Sequence, residues 1–346
     1  MNRPGSANRL LRNPVVGPTL GLLLLVVFNA VADLAAGRVS LIGPGSFLHI
    51  ALVDGVPAGA AIDVLNYGAL IAILALGMAP VIATRGVDLS VGSIMAVSAA
   101  VAATHVVAGG SATASITLAL GAAVACGLWN GLLVAALGLQ PFVATLVLMV
   151  AGRGIAQILT ESQIITFHDP TLEYIGLGRP SWLPLPFPFL LAAGLLAVTL
   201  LTKRRTAVGL FVESVGGNPE AARLAGVRSS VVTVAVYAFS GFCAGLAGLI
   251  AAANIKAADP FNTGRNLELA AIFAVVVGGT PLSGGRFSLV GAFVGAMLMQ
   301  CLTTTMYARN IGADVAPLPQ ALVILAVCIL GAAPLHAWLA RRRAAV

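Results

Sequence analysis

Hydrophobic residues run in long, nearly unbroken stretches along most of the 346-residue chain, with short polar breaks between them. A helix that crosses a membrane needs about 20 mainly apolar residues. The pattern therefore predicts an all-α polytopic membrane protein with about ten transmembrane helices, which form a single transmembrane domain over residues 1–346. The predicted spans are 16–36, 61–83, 89–108, 113–138, 140–160, 186–202, 230–254, 268–280, 286–308 and 318–340.

The composition supports this membrane assignment. The chain is 59% hydrophobic and 9% charged, whereas soluble globular proteins carry roughly 25% charged residues. Ten spans leave no room for a sizeable soluble domain. The net charge of +7 would suggest nucleic-acid binding in a soluble protein. In a membrane protein, basic residues are first of all topology signals, so we expect lipid around the chain and no nucleic-acid partner.

Basic residues are unevenly distributed between the two sides of the predicted spans. With a cytoplasmic start, thirteen of the nineteen lysines and arginines lie inside and five outside, while Arg153 falls within a span. Because cytoplasmic loops are rich in basic residues, both termini are predicted to be cytoplasmic. The largest inside loop is then 203–229 and the largest periplasmic loop is 161–185. A cleaved signal peptide is the alternative interpretation of the first run.

Residues that could carry catalysis or bind a metal are scattered. The four cysteines and four histidines occur singly, so no metal site and no cofactor are expected. Neither lysine stands in a GxxxxGK[ST] loop, which excludes a P-loop ATPase. No constellation of catalytic side chains is present either, and the chain is predicted not to be an enzyme.

Two predicted cytoplasmic turns share the pattern GxxLSxG, at residues 86–92 and 279–285. A duplicated helix-turn-helix unit would explain the similarity, and so would chance. Asp88 is expected to cap a helix that begins at Leu89, with bonding to the turn amides as the alternative. The residues predicted to form conformational turns are Gly86, Asp88, Ser90, Gly92, Gly279, Ser283 and Gly285.

The inside loop contains the string GGNPEAARLAGV at residues 216–227. Asn218 suits a helix N-cap, Pro219 the first helical position and Gly226 the stop, so a short capped helix is predicted. It is either a solvated loop helix or, because its residues are mostly small or apolar, a docking surface. The predicted docking residues are Gly217, Asn218, Glu220, Ala221, Ala222, Arg223 and Gly226.

These residues resemble a known family. Glu220-Ala-Ala followed by Gly226 has the spacing of the EAA loop, the coupling segment of permeases in ATP-binding-cassette (ABC) importers, although the later Ile-x-Leu-Pro part is missing. The loop and both turns are similar to the ribose-type branch of monosaccharide permeases. The chain departs from that branch at Arg85, where Gly is usual, and at Ala270, where Asp is usual. Segments most similar to galactofuranose transporter permeases are 62–66, 127–131, 140–146 and 151–154.

The resemblance, which covers about residues 60 to 300, implies a subunit of the bacterial inner membrane that imports a galactofuranose- or ribose-like monosaccharide. It implies three partners: an ABC ATPase subunit, a periplasmic sugar-binding protein and a second permease subunit, identical or homologous. The alternative is an ion-coupled secondary transporter, which normally needs carboxylates near the membrane centre. Only Asp33, Asp63 and Glu268 come near a span, and all lie close to span ends.

Polar and aromatic residues within the spans are candidates for the substrate path, because a polar group in a membrane costs free energy unless it is satisfied. Hydrogen bonding between helices is the alternative role for each of them. Arg153 is either functional or extends its charge to the membrane surface. The predicted path residues are Asn66, Trp129, Asn130, Phe142, Arg153 and Gln157.

Overall fold

The computed structural model describes residues 15–37, 43, 46–53, 56–180, 183, 185–312, 315, 318, 321, 322 and 325. The predictions for both termini lie outside the described residues, as does most of the apolar run 318–340. The basic residues Arg3, Arg9, Arg12, Arg38, Arg341, Arg342 and Arg343 are outside them too.

The described chain is mainly helical with very little sheet, which confirms the all-α polytopic fold. The helices are α1 (Val16–Ala35), α2 (Ala60–Ala83), α3 (Val91–Val107), α4 (Ala112–Ala135), α5 (Pro141–Leu159), α6 (Pro170–Leu177), α7 (Phe187–Arg205), α8 (Val208–Gly217), α9 (Pro219–Leu224), α10 (Ser229–Ile255), α11 (Leu267–Val277) and α12 (Leu289–Ala308). Two short antiparallel pairs join β1 (Ala51–Val53) to β2 (Val56–Ala58) and β3 (Ile165–Thr166) to β4 (Ala257–Ala258).

Nine of the ten predicted spans coincide with a described helix. Seven of these helices, α1, α2, α4, α5, α7, α10 and α12, are long and apolar enough to cross a membrane. By contrast, α11 has only 11 residues. At about 1.5 Å per residue it covers roughly half of the hydrocarbon core. Helix α11 is therefore too short to cross a membrane by itself.

Helix α2 forms the centre of the bundle. Every residue from Gly68 to Ala83 is buried, and α7, α10, α11 and α12 pack around it. A helix that is apolar around its whole circumference is stable either in a protein interior or in lipid, and α2 occupies the interior. On the periphery, α1, α5 and α7 expose large apolar side chains such as Leu24, Val150 and Val198, a pattern that suits lipid or another membrane subunit.

Glycines bring the backbones of α4 and α10 into close contact. A Cβ at Gly127 of α4 would collide with the carbonyl oxygen of Tyr237, and a Cβ at Gly241 of α10 would collide with that of Ala123. Helices in a bilayer gain little from the hydrophobic effect, so van der Waals packing through small residues becomes a main source of their association. The α4–α10 contact therefore depends on residues without side chains.

Hydrogen bonds between loops show which segments share one end of the bundle. Arg85, between α2 and α3, bonds the C-terminal residues of α8, and Lys203 of α7 bonds Phe287, between α11 and α12. The first turn (residues 84–90), the second turn (residues 278–288) and helix α9 therefore lie together. We call this the basic end. Its basic residues are Arg85, Lys203, Arg204, Arg205, Arg223, Arg228 and Arg286.

At the opposite end, ion pairs attach the connecting segments to the helices. Lys256, which follows α10, contacts Glu173 of α6 at 2.6 Å. Its ammonium donates a hydrogen bond to this carboxylate and holds the pKa of Glu173 below its usual range. Arg309, which follows α12, contacts Asp33 of α1 at 3.0 Å. Through these pairs, segment 161–185 and helix α1 are joined to the central helices.

Replacing Gly127 with Ala should destabilise the protein by about 1–3 kcal/mol, because the added methyl group would push α4 away from α10. Gly121, on the same helix, has open space around it. Gly121→Ala should therefore be neutral, or stabilise the helix by up to about 1 kcal/mol. Unfolding by denaturant in detergent micelles measures both variants. Equal stability of the two would contradict the proposed packing.

Candidate functional site

The short capped helix predicted in the inside loop is present as α9. Asn218 is its N-cap and accepts a hydrogen bond from the backbone N–H of Ala221 at 3.1 Å, and Pro219 is the first helical residue. Gly226 follows the end of the helix with φ at 86°. Glycine adopts this left-handed conformation without the steric cost that other residues incur.

The outward surface of α9 combines charge with an exposed apolar tip. Ala222 is buried against the protein, whereas Glu220 and Arg223 form an exposed ion pair at 3.3 Å. Such a pair contributes little stability at a surface. Leu224 is 82% exposed. This exposed surface at the basic end is accessible to a partner protein.

Behind α9, the two turns and the end of α8 meet at the carbonyl oxygen of Ala83. The backbone N–H of Gly285 donates to this oxygen at 2.9 Å. Gly216 packs directly on it, and a Cβ there would collide with the carbonyl. We call this meeting point the turn junction: residues 83–85, 216–217 and 284–287. The sequence indicated the two turns and the loop as separate features, and the structure shows that they are in contact.

Two basic side chains hold the turn junction together. Arg85 donates from Nε to the carbonyl oxygen of Gly216 at 2.6 Å and from Nη2 to that of Gly217 at 2.5 Å. Lys203 donates to the carbonyl oxygen of Phe287 at 2.5 Å, lies 3.7 Å from the centre of its ring and pairs with Glu213 at 2.8 Å. Both side chains thus join α7 or α8 to one of the turns.

The expected helix-capping role of Asp88 is wrong. Helix α3 begins at Val91 with Ser90 as its N-cap residue. Oδ1 of Asp88 instead accepts the N–H and the hydroxyl of Ser90, at 3.0 and 2.6 Å, and Oδ2 accepts the hydroxyl of Ser240 on α10 at 2.8 Å. Asp88 is fully buried. A buried carboxylate needs several donors, and the turn amide alone would not satisfy it.

The other predicted turn residues serve different purposes. Gly86 leaves room for the hydroxyl of Tyr237, and Gly92 lies directly against the backbone of Gly264. Gly279 and Gly285 have φ at 85° and 87°, which places both in the left-handed region. Ser283 is exposed. The shared GxxLSxG pattern therefore does not correspond to the same contacts in the two turns.

A polar cavity of about 580 Å³ opens between α3, α5, α11 and the segment before α11. Helix α5 starts near the basic end, where Thr145 bonds the first turn. Arg153 lies about 12 Å further along the helix, so the cavity reaches membrane depth. Its polar and aromatic lining residues are Ser93, Arg153, Gln157, Phe261, Arg265, Asn266 and Glu268.

Arg153 supports the non-helical wall of the polar cavity. It donates from Nη1 to the carbonyl oxygens of Pro260 and Thr263, at 3.1 and 2.7 Å. Irregular backbone at membrane depth is tolerated only where protein buries it or where it lines a cavity. Transporter binding sites are often built from such interrupted helices. Arg153 therefore satisfies carbonyls that a helix would have bonded internally.

The predicted path residues do not all meet in one place. Arg153 and Gln157 line the polar cavity. Asn66 donates to Asn254 on α10 at 3.3 Å, and Asn130 donates to Ser90 at 2.8 Å, contacts that correspond to helix–helix bonding.

Two aromatic path candidates, Trp129 and Phe142, are 56% and 51% exposed and do not line the cavity. The cavity residues on segment 261–266 were not predicted from the sequence, because this segment lies between two predicted spans and was assigned to an outside loop. Pro260 and Gly264 are the local signal of irregular backbone that could have indicated them.

The acidic residues near the spans are placed differently from one another. Asp33 is paired with Arg309, and Glu268 borders the polar cavity. Asp63 lines a second cavity of about 500 Å³ between α2 and α12, together with Tyr67. Within the described ranges, no group of three or more His, Cys, Asp or Glu could hold a metal ion.

The bundle of apolar helices, with a polar cavity at membrane depth and an exposed helix at one end, is typical of a polytopic membrane transport protein. A family model described as the permease component of a branched-chain amino acid transport system matches residues 60–333. The chain belongs to this permease family, and it is a multi-pass protein of the inner membrane.

Relatives narrow the class further. The chain is 45% identical over 322 residues to the galactofuranose transporter permease of Escherichia coli (strain K12), with 93% of this chain and 91% of the relative covered. It is 39% identical to the fructose import permease of Bifidobacterium longum, with 81% and 79% covered. It is 35% identical to the ribose import permease of Escherichia coli (strain K12), with 76% and 82% covered.

These relatives confirm the resemblance to monosaccharide permeases that the loop and turn motifs indicated. No solved structure matches the chain significantly.

Proposed function

We propose that the chain is the membrane-spanning subunit of an ABC importer for a monosaccharide, galactofuranose- or ribose-like. The observation that carries this proposal is the 45% identity to a galactofuranose permease, which extends over 93% of the chain. Helix α9 supports it, because an exposed, capped helix at the basic end suits a docking site for an ATPase subunit.

The character of the polar cavity favours a sugar over a branched-chain amino acid. Cations, amides, a hydroxyl and a carboxylate surround it, and these groups match the many hydroxyls of a sugar better than an aliphatic side chain. Phe261 offers an apolar face to the C–H side of a sugar ring. We propose that this cavity, with Arg153 and Gln157 in its wall, is part of the translocation path.

The proposed topology has ten spans and cytoplasmic termini, within a single domain over residues 1–346. Seven basic residues at one end support a cytoplasmic basic end. There the loop 203–229 would meet the ATPase subunit. The opposite end, with the loop 161–185, would receive a periplasmic sugar-binding protein. A second permease subunit, identical or homologous, would complete the path along the apolar surfaces that this chain exposes.

Transport would be driven by ATP hydrolysis in the partner subunit, and the chain itself would have no catalytic role. An ion-coupled transporter is the alternative, and it would depend on Glu268 at the polar cavity, because two other carboxylates are engaged elsewhere. Asp33 is held by Arg309, and Asp88 accepts three hydrogen bonds from serines. Carboxylates engaged in this way are poorly placed to bind and release an ion during each transport cycle.

A cysteine introduced at Gln157 should react with a membrane-impermeant thiol reagent in proteoliposomes that contain the assembled transporter, because the translocation path is water-filled. Ile158, the next residue, is 78% exposed on the outside of the bundle. A cysteine there should stay unreactive in lipid. Mass spectrometry locates the label. An unreactive Gln157→Cys, or equal labelling of Ile158→Cys, would place the path elsewhere.

Uptake of labelled monosaccharide into proteoliposomes should require the ATPase subunit, ATP and the sugar-binding protein together. Galactofuranose, ribose and fructose should be compared with leucine under the same conditions. Uptake driven by a proton or sodium gradient alone would support the ion-coupled alternative. Uptake of leucine instead of a sugar would show that the family description, rather than the similar relatives, indicates the substrate.

Glu220→Lys should abolish co-purification of the ATPase subunit, because it reverses a charge on the exposed surface of α9 and places it beside Arg223. The membrane fold should be unaffected, since Glu220 is exposed. Glu161→Lys, an equal charge change at an exposed residue of the opposite end, is the control and should leave co-purification intact. Normal co-purification of the Glu220 variant would argue against docking through α9.

A further inference from the structure

Arg85 is the side chain that connects the first turn to the joint between α8 and α9. Its guanidinium bonds the carbonyl oxygens of Gly216 and Gly217, at 2.6 and 2.5 Å. Gly217 is the last residue of α8, and the next residue, Asn218, is the N-cap of α9. The contact therefore lies at the start of the proposed docking helix.

The chemistry of a helix end explains why arginine suits this position. The last carbonyl groups of a helix have no partner within it and carry its partial negative charge. A planar guanidinium can donate to two of them at once in a fixed geometry, whereas an ammonium acts as a point charge. Arg85 thus holds the end of α8 through two charge-assisted hydrogen bonds.

The backbone at Arg85 adopts a conformation that disfavours most residues. Its φ is 64°, in the left-handed region, where a residue other than glycine is strained and persists only when its surroundings hold it. Gly284 of the second turn packs against the Arg85 side chain, and a Cβ there would come within 2.6 Å of Cγ. The hydrogen bonds and the packing of the Arg85 side chain therefore stabilise a backbone conformation that is otherwise unfavourable.

The backbone of the first turn leads from Arg85 to Asp88 and Ser90, and Ser93 at the polar cavity donates a hydrogen bond to the carbonyl oxygen of Ser90. Asp88 joins the turn to Ser240 on α10 and to Ser90, which also bonds Asn130 on α4. Helix α3 starts directly after Ser90. Ser93, the third residue of α3, lines the polar cavity. A movement of α9 can reach the cavity wall through this route without passing through lipid.

We propose that Arg85 is a positioning residue for transport, which makes the first turn and α3 follow the movement of α9 when the ATPase subunits close. This proposal rests on the proposed ATPase docking at α9. Without Arg85, α9 would still bind the ATPase, because its exposed surface is unchanged, but its movement would reach the cavity less effectively.

The test compares Arg85→Asn with the wild type in proteoliposomes that contain the complete importer. Asparagine tolerates a positive φ but is too short to bond both carbonyls. Sugar uptake and ATP hydrolysis are measured on the same sample. The amount of sugar moved per ATP should fall about fivefold or more, while the ATPase subunit still co-purifies. Arg85→Lys should restore part of the ratio.

Arg204→Asn is the matched control, because Arg204 is an exposed arginine at the same end, and it should keep the wild-type ratio. An unchanged ratio in Arg85→Asn would overturn the proposal. So would loss of the ATPase subunit from the purified complex, since Arg85 would then serve docking or folding instead. Absence of ATP-dependent uptake in the wild type would refute the proposed function itself.

A second measurement follows the movement directly. Hydrogen exchange of amides in residues 84–92 should change when ATP binds to the wild-type complex, and this response should disappear in Arg85→Asn. A response of wild-type size in the variant would show that the first turn follows the ATPase by another route, which would also overturn the proposal.

Discussion

Backbone that leaves a helix inside a membrane must have its hydrogen bonds satisfied by protein, because lipid offers none. The described chain satisfies such breaks within the protein at the first turn and the second turn, which lie at the basic end, and at the segment before α11, which lies at membrane depth. In the first turn, Asp88 accepts the N–H of Ser90, and in the second turn the hydroxyl oxygen of Thr280 accepts the N–H of Ser288. Before α11, Arg153 donates to a backbone carbonyl oxygen. Both proposed functional regions, the turn junction and the polar cavity, lie at these interruptions, where the structure can differ from a closed helical bundle.

The few basic residues are used in the same way at both regions. Arg85, Lys203 and Arg153 each donate to main-chain carbonyl oxygens at a helix end or an irregular segment. A cation in a largely apolar protein is costly unless hydrogen bonds replace its hydration. Placing it against free carbonyls satisfies both groups at once. The positions of these three residues therefore follow the breaks in the helices, and topology rules alone explain only part of their distribution.

Local sequence patterns predicted the features that depend on neighbouring residues. The apolar runs indicated nine of the described helices, and Asn218, Pro219 and Gly226 indicated α9 with its cap and its end. The prediction for Asp88 was wrong because its decisive partner, Ser240, lies 152 residues further along the chain. The predicted path residues were separated for the same reason: Asn66 bonds Asn254 on α10, Asn130 bonds Ser90 of the first turn, and of the six only Arg153 and Gln157 line the polar cavity.

The sequence by itself determined the membrane class, the positions of most spans, the short capped helix and, through its motifs, the permease family. These properties depend on composition and on the spacing of residues within one turn or one helix, and both are present in the sequence itself. The tertiary structure decided that the two turns meet α8 at the carbonyl of Ala83, that Arg85 bonds the end of α8 and that α11 covers only half of a crossing. Those outcomes depend on which helices pack together. In a bilayer, close contact of small residues and the need to satisfy each polar group select that arrangement, and neither can be evaluated before the neighbours are known.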